Sequence, residues 1–365
     1  MRGARRGERA DNFGSVQALR GLAAVGVVLF HLLPFEAKYL PGSAIRPEGF
    51  SAGAAGVDVF FTLSGFVVTW TTMASAGGVG EAQRFLLRRL MRIYPPYWCV
   101  CAVLLVVLAA APDLLGRAAP PYIATSLLLL PCAGRPLLLV AWTLVFEVYF
   151  YLVFAGVLSI GRSGRMRTVL LGGWVLAVLV LRLWLRPSRS QVTLDLVLSP
   201  LVLEFAAGCA AAFLCRADIS ARLGWAALLF GALSLVAALV WSASLLAMPW
   251  WRVAAFGTSS ALLLTGCVAC DRIVSRVLPR VLCRLGDSSY SLYLSHLLSI
   301  AVVGHFWSAQ LAAAGWGNHL AALAVALAVA IGAGSAMHGA VERPLLRAVR
   351  RTLPNPTSAP LVHPA

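Results

Sequence analysis

Apolar residues occur along this chain in ten blocks of about twenty, the length of helix that crosses the hydrocarbon core of a bilayer. The blocks are residues 16–34, 54–74, 95–112, 137–160, 168–186, 192–215, 224–247, 252–270, 288–307 and 319–339. Blocks of this length with short gaps predict spanning helices rather than the strands of a barrel. The composition agrees, because 60% hydrophobic and only 12% charged residues exclude a disordered chain and a water-soluble enzyme. The predicted fold is an all-α, polytopic membrane protein with about ten transmembrane helices.

Two apolar stretches do not read directly as ordinary spanning helices. Residues 122–131 are apolar but lie between Pro121 and Pro131 and are too short to cross, which favours a re-entrant or interfacial segment. The first block follows a basic N-terminus, as a secretory signal would. It contains Arg20 and His31, however, and has no convincing small-residue cleavage site, so we expect a retained first helix.

The formal net charge of +16 comes from 29 Arg and a single Lys, Lys38, against 14 acidic residues. If the N-terminus is cytoplasmic, 21 of these cations lie in inner segments and seven in outer loops, among them Arg252. This bias is typical of positive-inside topology and not of nucleic-acid binding. We therefore predict that both termini are cytoplasmic. The predicted organisation is a tail over 1–15, a transmembrane domain over 16–342 and a partly disordered, Pro-rich tail over 343–365.

The first predicted helix carries two ionisable side chains, Arg20 and His31. Eleven residues make about three helical turns, so both lie on nearly one face, about 16 Å apart along the axis. We expect Arg20 near the cytoplasmic face and His31 in the outer half. The alternatives are that Arg20 extends to lipid phosphates and that His31 is a packing residue.

Other ionisable residues also fall within the predicted spans. Charge is costly inside a bilayer, so each such residue requires a partner or a polar cavity. Asp58 lies near the outer end of the second helix, Glu147 near the middle of the fourth and His296 in the ninth. Glu147 could orient His31, pair with Arg20 or be purely structural. His319 is expected at the outer surface.

A basic segment, Arg88, Arg89 and Arg92, precedes Pro95 between the second and third spans. Spacings of three and four residues place guanidinium groups on one helix face, and such groups bind phosphates in a bidentate manner. The alternative is ordinary anchoring to anionic lipid. Cys267 and Cys270 form one C-x-x-C pair, but no second pair completes a zinc site, so no metal is expected.

Six segments in chain order resemble the membrane acyltransferase-3 family, which includes O-antigen and exopolysaccharide O-acetyltransferases. The Q-A-L-R-G-L-A-A start with its R-x10-H spacing and the W-T-L variant are similar to the exopolysaccharide type in particular. The similar segments are residues 15–31, 56–66, 88–97, 142–151, 285–296 and 341–344. The family often has a second acidic residue after the glutamate of its fourth helix, where this chain has Val148.

The resemblance implies transfer of an acyl group, commonly acetyl, from cytoplasmic acyl-CoA to a hydroxyl of an exported glycan. No permanently bound cofactor is expected, since acetyl-CoA or another acyl-CoA is the donor substrate. In the implied site, His31 is the base or transient acyl carrier, Arg20 organises the donor and Glu147 supports them. The coenzyme would be bound by Arg88, Arg89 and Arg92. Residues expected to bind substrate or support the site are Asp58, Trp142, Tyr151 and His296.

The sequence is also compatible with three alternative functions. A transporter or flippase of a polysaccharide precursor would also place charges inside a ten-helix bundle, although we find no inverted repeat. A purely structural role in a polysaccharide machine is another, and a lipid or macrolide acceptor is possible within the enzyme class. The expected surroundings are the lipids of a bacterial inner membrane, with a second copy of the chain or export proteins as potential partners.

Overall fold

The computed structural model describes residues 13–40, 42, 52–110, 122–188, 190–217, 219–310 and 315–352, which form helices and no β-strand. The α-helices are α1 (Gly14–Tyr39), α2 (Gly56–Thr72), α3 (Val79–Ala110), α4 (Ile123–Leu127), α5 (Trp142–Ile160), α6 (Gly164–Leu185), α7 (Val192–Val197), α8 (Val202–Arg216), α9 (Ala221–Val240), α10 (Ser242–Ala247), α11 (Pro249–Arg252), α12 (Thr258–Ala269), α13 (Asp271–Val277), α14 (Arg280–Asp287), α15 (Ser289–Gln310), α16 (Trp316–Met337) and α17 (Arg343–Thr352). Short 3₁₀ turns cover Ala52–Ala55 and Leu139–Ala141, and π-helical turns cover Val253–Gly257 and His338–Glu342.

In the described part of the chain, ten helical segments are long and apolar enough to cross a membrane. They coincide with the ten apolar blocks, so the predicted all-α, multi-pass fold is confirmed. Some spans are interrupted: the sixth joins α7 to α8, and the eighth runs from α11 through a π-helical turn into α12. The predicted tails lie largely outside the described residues, and the cytoplasmic placement of both termini stays a prediction.

The third span differs from its prediction. The basic segment was expected as a separate turn ending at Pro95, but α3 is continuous from Val79 to Ala110 through Pro95 and Pro96. Proline lacks the amide hydrogen that a helix interior uses, and in membranes neighbouring groups compensate for the altered main-chain bonding. Pro95 and Pro96 remove the helical partners of the Met91 and Arg92 carbonyls, and at the next residue the Tyr290 hydroxyl donates a 2.8 Å hydrogen bond to the carbonyl of Ile93. The arginine cluster therefore shares one helix with the apolar span.

The segment after α3 does not cross the bundle, as predicted, and forms only the five-residue helix α4. Aromatic side chains of α3 donate to carbonyls at its end, Tyr94 to Leu128 at 2.9 Å, Tyr97 to Ser126 at 2.7 Å and Trp98 to Leu127 at 2.9 Å. Irregular backbone at membrane depth must be satisfied by protein because lipid offers no hydrogen bonds. The three aromatic side chains of α3 supply these hydrogen bonds to the backbone carbonyls.

Glycines permit close contact between α2 and α8. A Cβ on Gly65 would lie 2.0 Å from the carbonyl oxygen of Phe205, and one on Gly208 would lie 1.9 Å from that of Thr62. Small residues of this kind allow membrane helices to approach backbone to backbone. The contact fixes the position of α2, which also lines a cavity through residues that include Phe60 and Ser64.

Candidate active site

A cavity of about 110 Å³ lies among α1, α2, α3, α5 and α15. Its charged lining residues are Arg20, Arg89, Arg92 and Glu147, and Tyr151 also lines it. Five side chains predicted for the site thus come together although they belong to three different helices. The lining is otherwise largely apolar, so three guanidinium groups and one carboxyl group dominate its electrostatics.

Neighbouring side chains, most of them aromatic, hold the polar groups of the cavity in place. The Tyr151 hydroxyl donates a short hydrogen bond to Oε1 of Glu147, one helical turn away on α5. The guanidinium of Arg89 lies 5.6 Å from the ring centroids of both Phe85 and Tyr151 and donates a 3.1 Å hydrogen bond to Thr71 Oγ1. Arg20 Nη1 lies 3.4 Å from Gln17 Oε1. These contacts orient the polar groups while leaving the cavity open.

His31 and His296 meet beyond the cavity. Nδ1 of His31 lies 2.9 Å from the Val27 carbonyl oxygen and 3.3 Å from Nε2 of His296. Nδ1 of His296 lies 2.7 Å from the carbonyl oxygen of Tyr293 and 3.2 Å from that of Leu292. The two rings pack edge to face with centroids 4.9 Å apart.

These partners determine where the ring hydrogens lie in the neutral pair. Carbonyls only accept, so Nδ1 of His296 carries its hydrogen and Nε2 presents a lone pair. Nδ1 of His31 faces that lone pair and a carbonyl, so it carries a hydrogen as well. Nε2 of His31 is then the unprotonated nitrogen, which is the form a general base needs.

The partner of His31 differs from one sequence interpretation. Glu147 was considered as the group that orients His31, but the structure places His296 there instead. The reason is depth: Glu147 lines the cavity together with Arg20, and His31 lies three turns farther along α1. Glu147 therefore belongs with the arginines.

Tyr293 separates the histidine pair from the cavity. It lines the cavity with Phe60 and Thr143, whereas neither His31 nor His296 is among the lining residues. Its hydroxyl is 2.7 Å from Thr143 Oγ1, and its ring centroid is 6.1 Å from that of Phe60. His296 follows Tyr293 by one turn of α15, so the imidazole pair begins where the cavity ends.

Asp58 lies outside the cavity lining and is fully buried. Both of its carboxylate oxygens accept from Arg252, from Nε at 2.8 Å and from Nη2 at 3.0 Å. The placement of Arg252 in an outer loop is thus wrong, because α11 carries it into the bundle to neutralise Asp58. Fully buried Glu204 lies beside this ion pair, and we call the three residues the sealed charge cluster (Asp58, Glu204 and Arg252).

Two further predicted residues are peripheral to the cavity. Trp142 is 40% exposed and packs its ring against Phe61 and Phe146, with centroids 6.3 and 6.0 Å away. Arg88 is partly buried on α3 but does not line the cavity, unlike Arg89 and Arg92. In the described parts of the chain, no three His, Cys, Asp or Glu side chains gather as a metal site.

His319 is also placed differently from the prediction. It was expected at the outer surface, but it is only 1% exposed, and its Nδ1 lies 2.7 Å from Oε1 of Glu36. Glu36 is buried near the end of α1, where a carboxyl group requires a partner. The pair joins the first and tenth spans.

The site also contains residues that the sequence interpretation left out. Ser289, Tyr290 and Tyr293 all line the cavity from α15. The signal was present, because residues 289, 293 and 296 repeat at intervals of four and three and so share the helix face that carries His296. Ser64 lines the cavity from α2.

Comparisons with known proteins agree with this arrangement. Residues 13–337 match the acyltransferase domain of the acyltransferase-3 family. The exopolysaccharide production protein ExoZ of Rhizobium meliloti (strain 1021) is 32% identical, over 82% of this chain and 91% of the relative. The acyltransferase MdmB of Streptomyces mycarofaciens is 28% identical over 96% of both chains. Nodulation protein 10 of Rhizobium leguminosarum bv. viciae is 28% identical over 70% of this chain and 75% of the relative.

No solved structure gives a significant match. The family match covers most of the chain, and the relative from Rhizobium meliloti shares nearly a third of its residues over most of both proteins. Ten helices suited to a membrane form the body of the fold. The chain therefore belongs to the acyltransferase-3 family and is a multi-pass membrane enzyme that transfers acyl groups other than amino-acyl groups.

Proposed function

We propose that this enzyme moves an acyl group, foremost acetyl, from cytoplasmic acyl-CoA to a hydroxyl of an exported or cell-surface glycan at the bacterial inner membrane. The observation that carries the proposal is the arrangement on α1: Arg20 lines a cavity with two more arginines, and His31 lies three turns farther along. The similarity to a protein named for exopolysaccharide production supports a glycan acceptor.

The cavity suits the donor in charge, and the distance from Arg20 past Tyr293 to His31 suits it in length. Coenzyme A is a polyanion, and guanidinium groups are the side chains best matched to phosphate. Arg20, Arg89 and Arg92 line the cavity, and Arg88 lies on the same helix nearer its N-terminus. The pantetheine arm has about 12 bonds from phosphate oxygen to sulfur and extends about 14 Å. This length is close to the ~16 Å rise between Arg20 and His31.

His31 would act on the acceptor hydroxyl. Nε2 of His31 takes the hydroxyl proton as the oxygen attacks the thioester carbonyl carbon, a C–O bond forms and the C–S bond breaks. The electron pair leaves on sulfur, and the proton ends on the CoA thiol. In the alternative route His31 Nε2 attacks first and carries the acyl group transiently. His296 holds the reactive tautomer in both.

The remaining predicted residues have supporting roles in this proposal. Glu147, which accepts a hydrogen bond from Tyr151, balances the arginine charges and restricts the positions that the donor phosphates can occupy. Trp142 offers a partly exposed aromatic face near the start of α5, suited to packing against a sugar. Asp58 supports the site indirectly through its pair with Arg252.

Replacing His31 tests the proposal directly. In membranes or nanodiscs supplied with radiolabelled acetyl-CoA, His31→Ala should lower transfer to glycan by at least about a hundredfold, since general base catalysis contributes that much. The matched control is His305→Ala, which removes an exposed histidine of α15 and should retain full activity. Undiminished product from His31→Ala at equal expression would overturn the assignment. Acyl transfer by purified protein also excludes a pure transporter.

A further inference from the structure

Two hydroxyl groups in the cavity wall have no hydrogen-bond partner. Ser289 Oγ and Ser64 Oγ are both buried, and neither atom has a partner in the protein. Ser289 is fully buried at the first residue of α15, and Ser64 lies on α2. Both residues line the cavity. An unsatisfied buried hydroxyl costs about 1–3 kcal/mol, so this pair requires an explanation.

Neighbouring hydroxyls on the same helices show the usual solution. Ser295 and Ser299 of α15 donate to carbonyls one turn earlier, at 2.9 and 3.0 Å. Thr62 of α2 does the same to Asp58 at 3.1 Å. Such bonding to the preceding turn is the common way for a hydroxyl within a helix to be satisfied. Ser64 and Ser289 depart from it, and both border the cavity.

The position of Ser289 excludes a role at the reacting carbonyl. Ser289 precedes His296 by seven residues, which is about 10 Å along α15. A donor that stabilises the developing oxyanion must lie about 3 Å from it. The histidine pair marks the reaction centre, so Ser289 is too far away to contact the thioester oxygen there.

The distance of about 10 Å between Ser289 and His296 does match the position of another polar group of the donor. In an extended pantetheine arm, the carbonyl of the amide farther from sulfur lies about eight bonds, or about 10 Å, from the sulfur atom. An amide offers one donor and one acceptor, and a serine hydroxyl can serve either. A serine of α2 and a serine of α15, both lining the cavity, can therefore satisfy the donor and the acceptor of one amide.

We propose that Ser64 and Ser289 bind one amide of the acyl-CoA donor, the pantetheine amide that is farther from sulfur and next to the pantoyl group. This inference rests on the proposed function. The arginines then hold the phosphates, the serines fix the register of the arm, and the thioester reaches His31. The serines are positioning residues, because they touch the donor away from the reacting atoms.

The experiment compares two ligands on purified protein in nanodiscs by calorimetry. CoA contains the pantetheine arm, whereas 3′,5′-ADP contains the nucleotide and phosphates without it. Ser289→Ala and Ser64→Ala should each weaken CoA binding about fivefold to tenfold, in line with about 1–1.4 kcal/mol per hydrogen bond. Binding of 3′,5′-ADP should stay within about twofold of the wild-type affinity.

Thermal stability separates binding from packing. Removing an unsatisfied hydroxyl should leave the melting temperature unchanged or raise it. Ser299→Ala is the matched control on α15, and it should leave CoA affinity unchanged. The inference is overturned if CoA affinity is unaffected by both serine variants, or if both ligands weaken equally. Wild-type protein that binds neither CoA nor acetyl-CoA would instead overturn the proposed function itself.

Discussion

Two groups of charged side chains lie inside this bundle, and they differ in what surrounds them. Arg20, Arg89, Arg92 and Glu147 border an open cavity among five helices. The sealed charge cluster also combines arginine with carboxyl side chains, but Asp58 is completely buried and both of its oxygens are bonded to Arg252. Buried charge alone therefore does not identify a site. The open volume beside the charge distinguishes a binding group from a structural one.

The difference has an energetic consequence. A buried ion pair is held because each charge would be costly without the other, so its main effect is on folding. Guanidinium groups around a cavity can approach an incoming anion, so their main effect is on ligand affinity. Substitutions in the two groups should thus change different measurements.

The largest effect is expected from breaking the sealed charge cluster. Arg252→Ala leaves Asp58 as an unpaired buried carboxylate and should lower the free energy of unfolding by about 3–5 kcal/mol. Thermal or denaturant unfolding in detergent measures this loss. The affinity of the surviving folded protein for CoA should remain that of the wild type, because Arg252 does not line the cavity.

Two controls sharpen this prediction. Arg222→Ala removes an exposed arginine and should leave stability unchanged. Combining Arg252→Ala with Asp58→Asn should recover part of the lost stability, since the Asp58 carboxylate that lost its partner is also removed. Arg252→Ala protein of normal stability, or protein with selectively weakened CoA binding, would show that this cluster is not structural.

The next effect is expected on the cavity side. Changing both Arg89 and Arg92 to Gln should weaken acyl-CoA binding by about tenfold to a hundredfold, since charge-assisted hydrogen bonds contribute about 1.5–3 kcal/mol. Stability should change less than affinity. The control is Arg84→Gln, an exposed arginine of the same helix that pairs with Glu81 at 3.2 Å. Unchanged donor affinity combined with degraded or inverted protein would support lipid anchoring instead.

The sequence predicted the spans well because a physical length determines them. A bilayer requires about twenty apolar residues per helix, and each of the ten blocks satisfies that requirement independently. Local spacing also indicated some neighbours correctly: Arg89 and Arg92 are one turn apart on α3 and both line the cavity. In each case the relevant neighbours lie within a few turns of one helix.

The pairings that were not predicted join distant parts of the chain. Asp58 and Arg252 are 194 residues apart, and Glu36 and His319 are 283 apart. No local pattern specifies such contacts, because they depend on which helices become neighbours. The contact of Tyr290 with the Ile93 carbonyl of α3 likewise joins distant parts of the chain, and no local pattern around Pro95 indicates it.

The smallest effect is expected from removing a single hydroxyl on the cavity side. Tyr151→Phe removes the donor to Glu147 but keeps the ring that Arg89 packs against, so only the hydrogen bond is lost. We expect donor affinity or kcat/KM for acyl-CoA to fall about fivefold, which corresponds to about 1 kcal/mol.

Tyr149→Phe is the matched control, because its hydroxyl donates to the Val197 carbonyl at 3.1 Å and accepts from Trp174. The control should lower stability without changing donor kinetics. Equal kinetic losses in both variants would mean that the cavity responds to general packing of α5 rather than to the Glu147 contact.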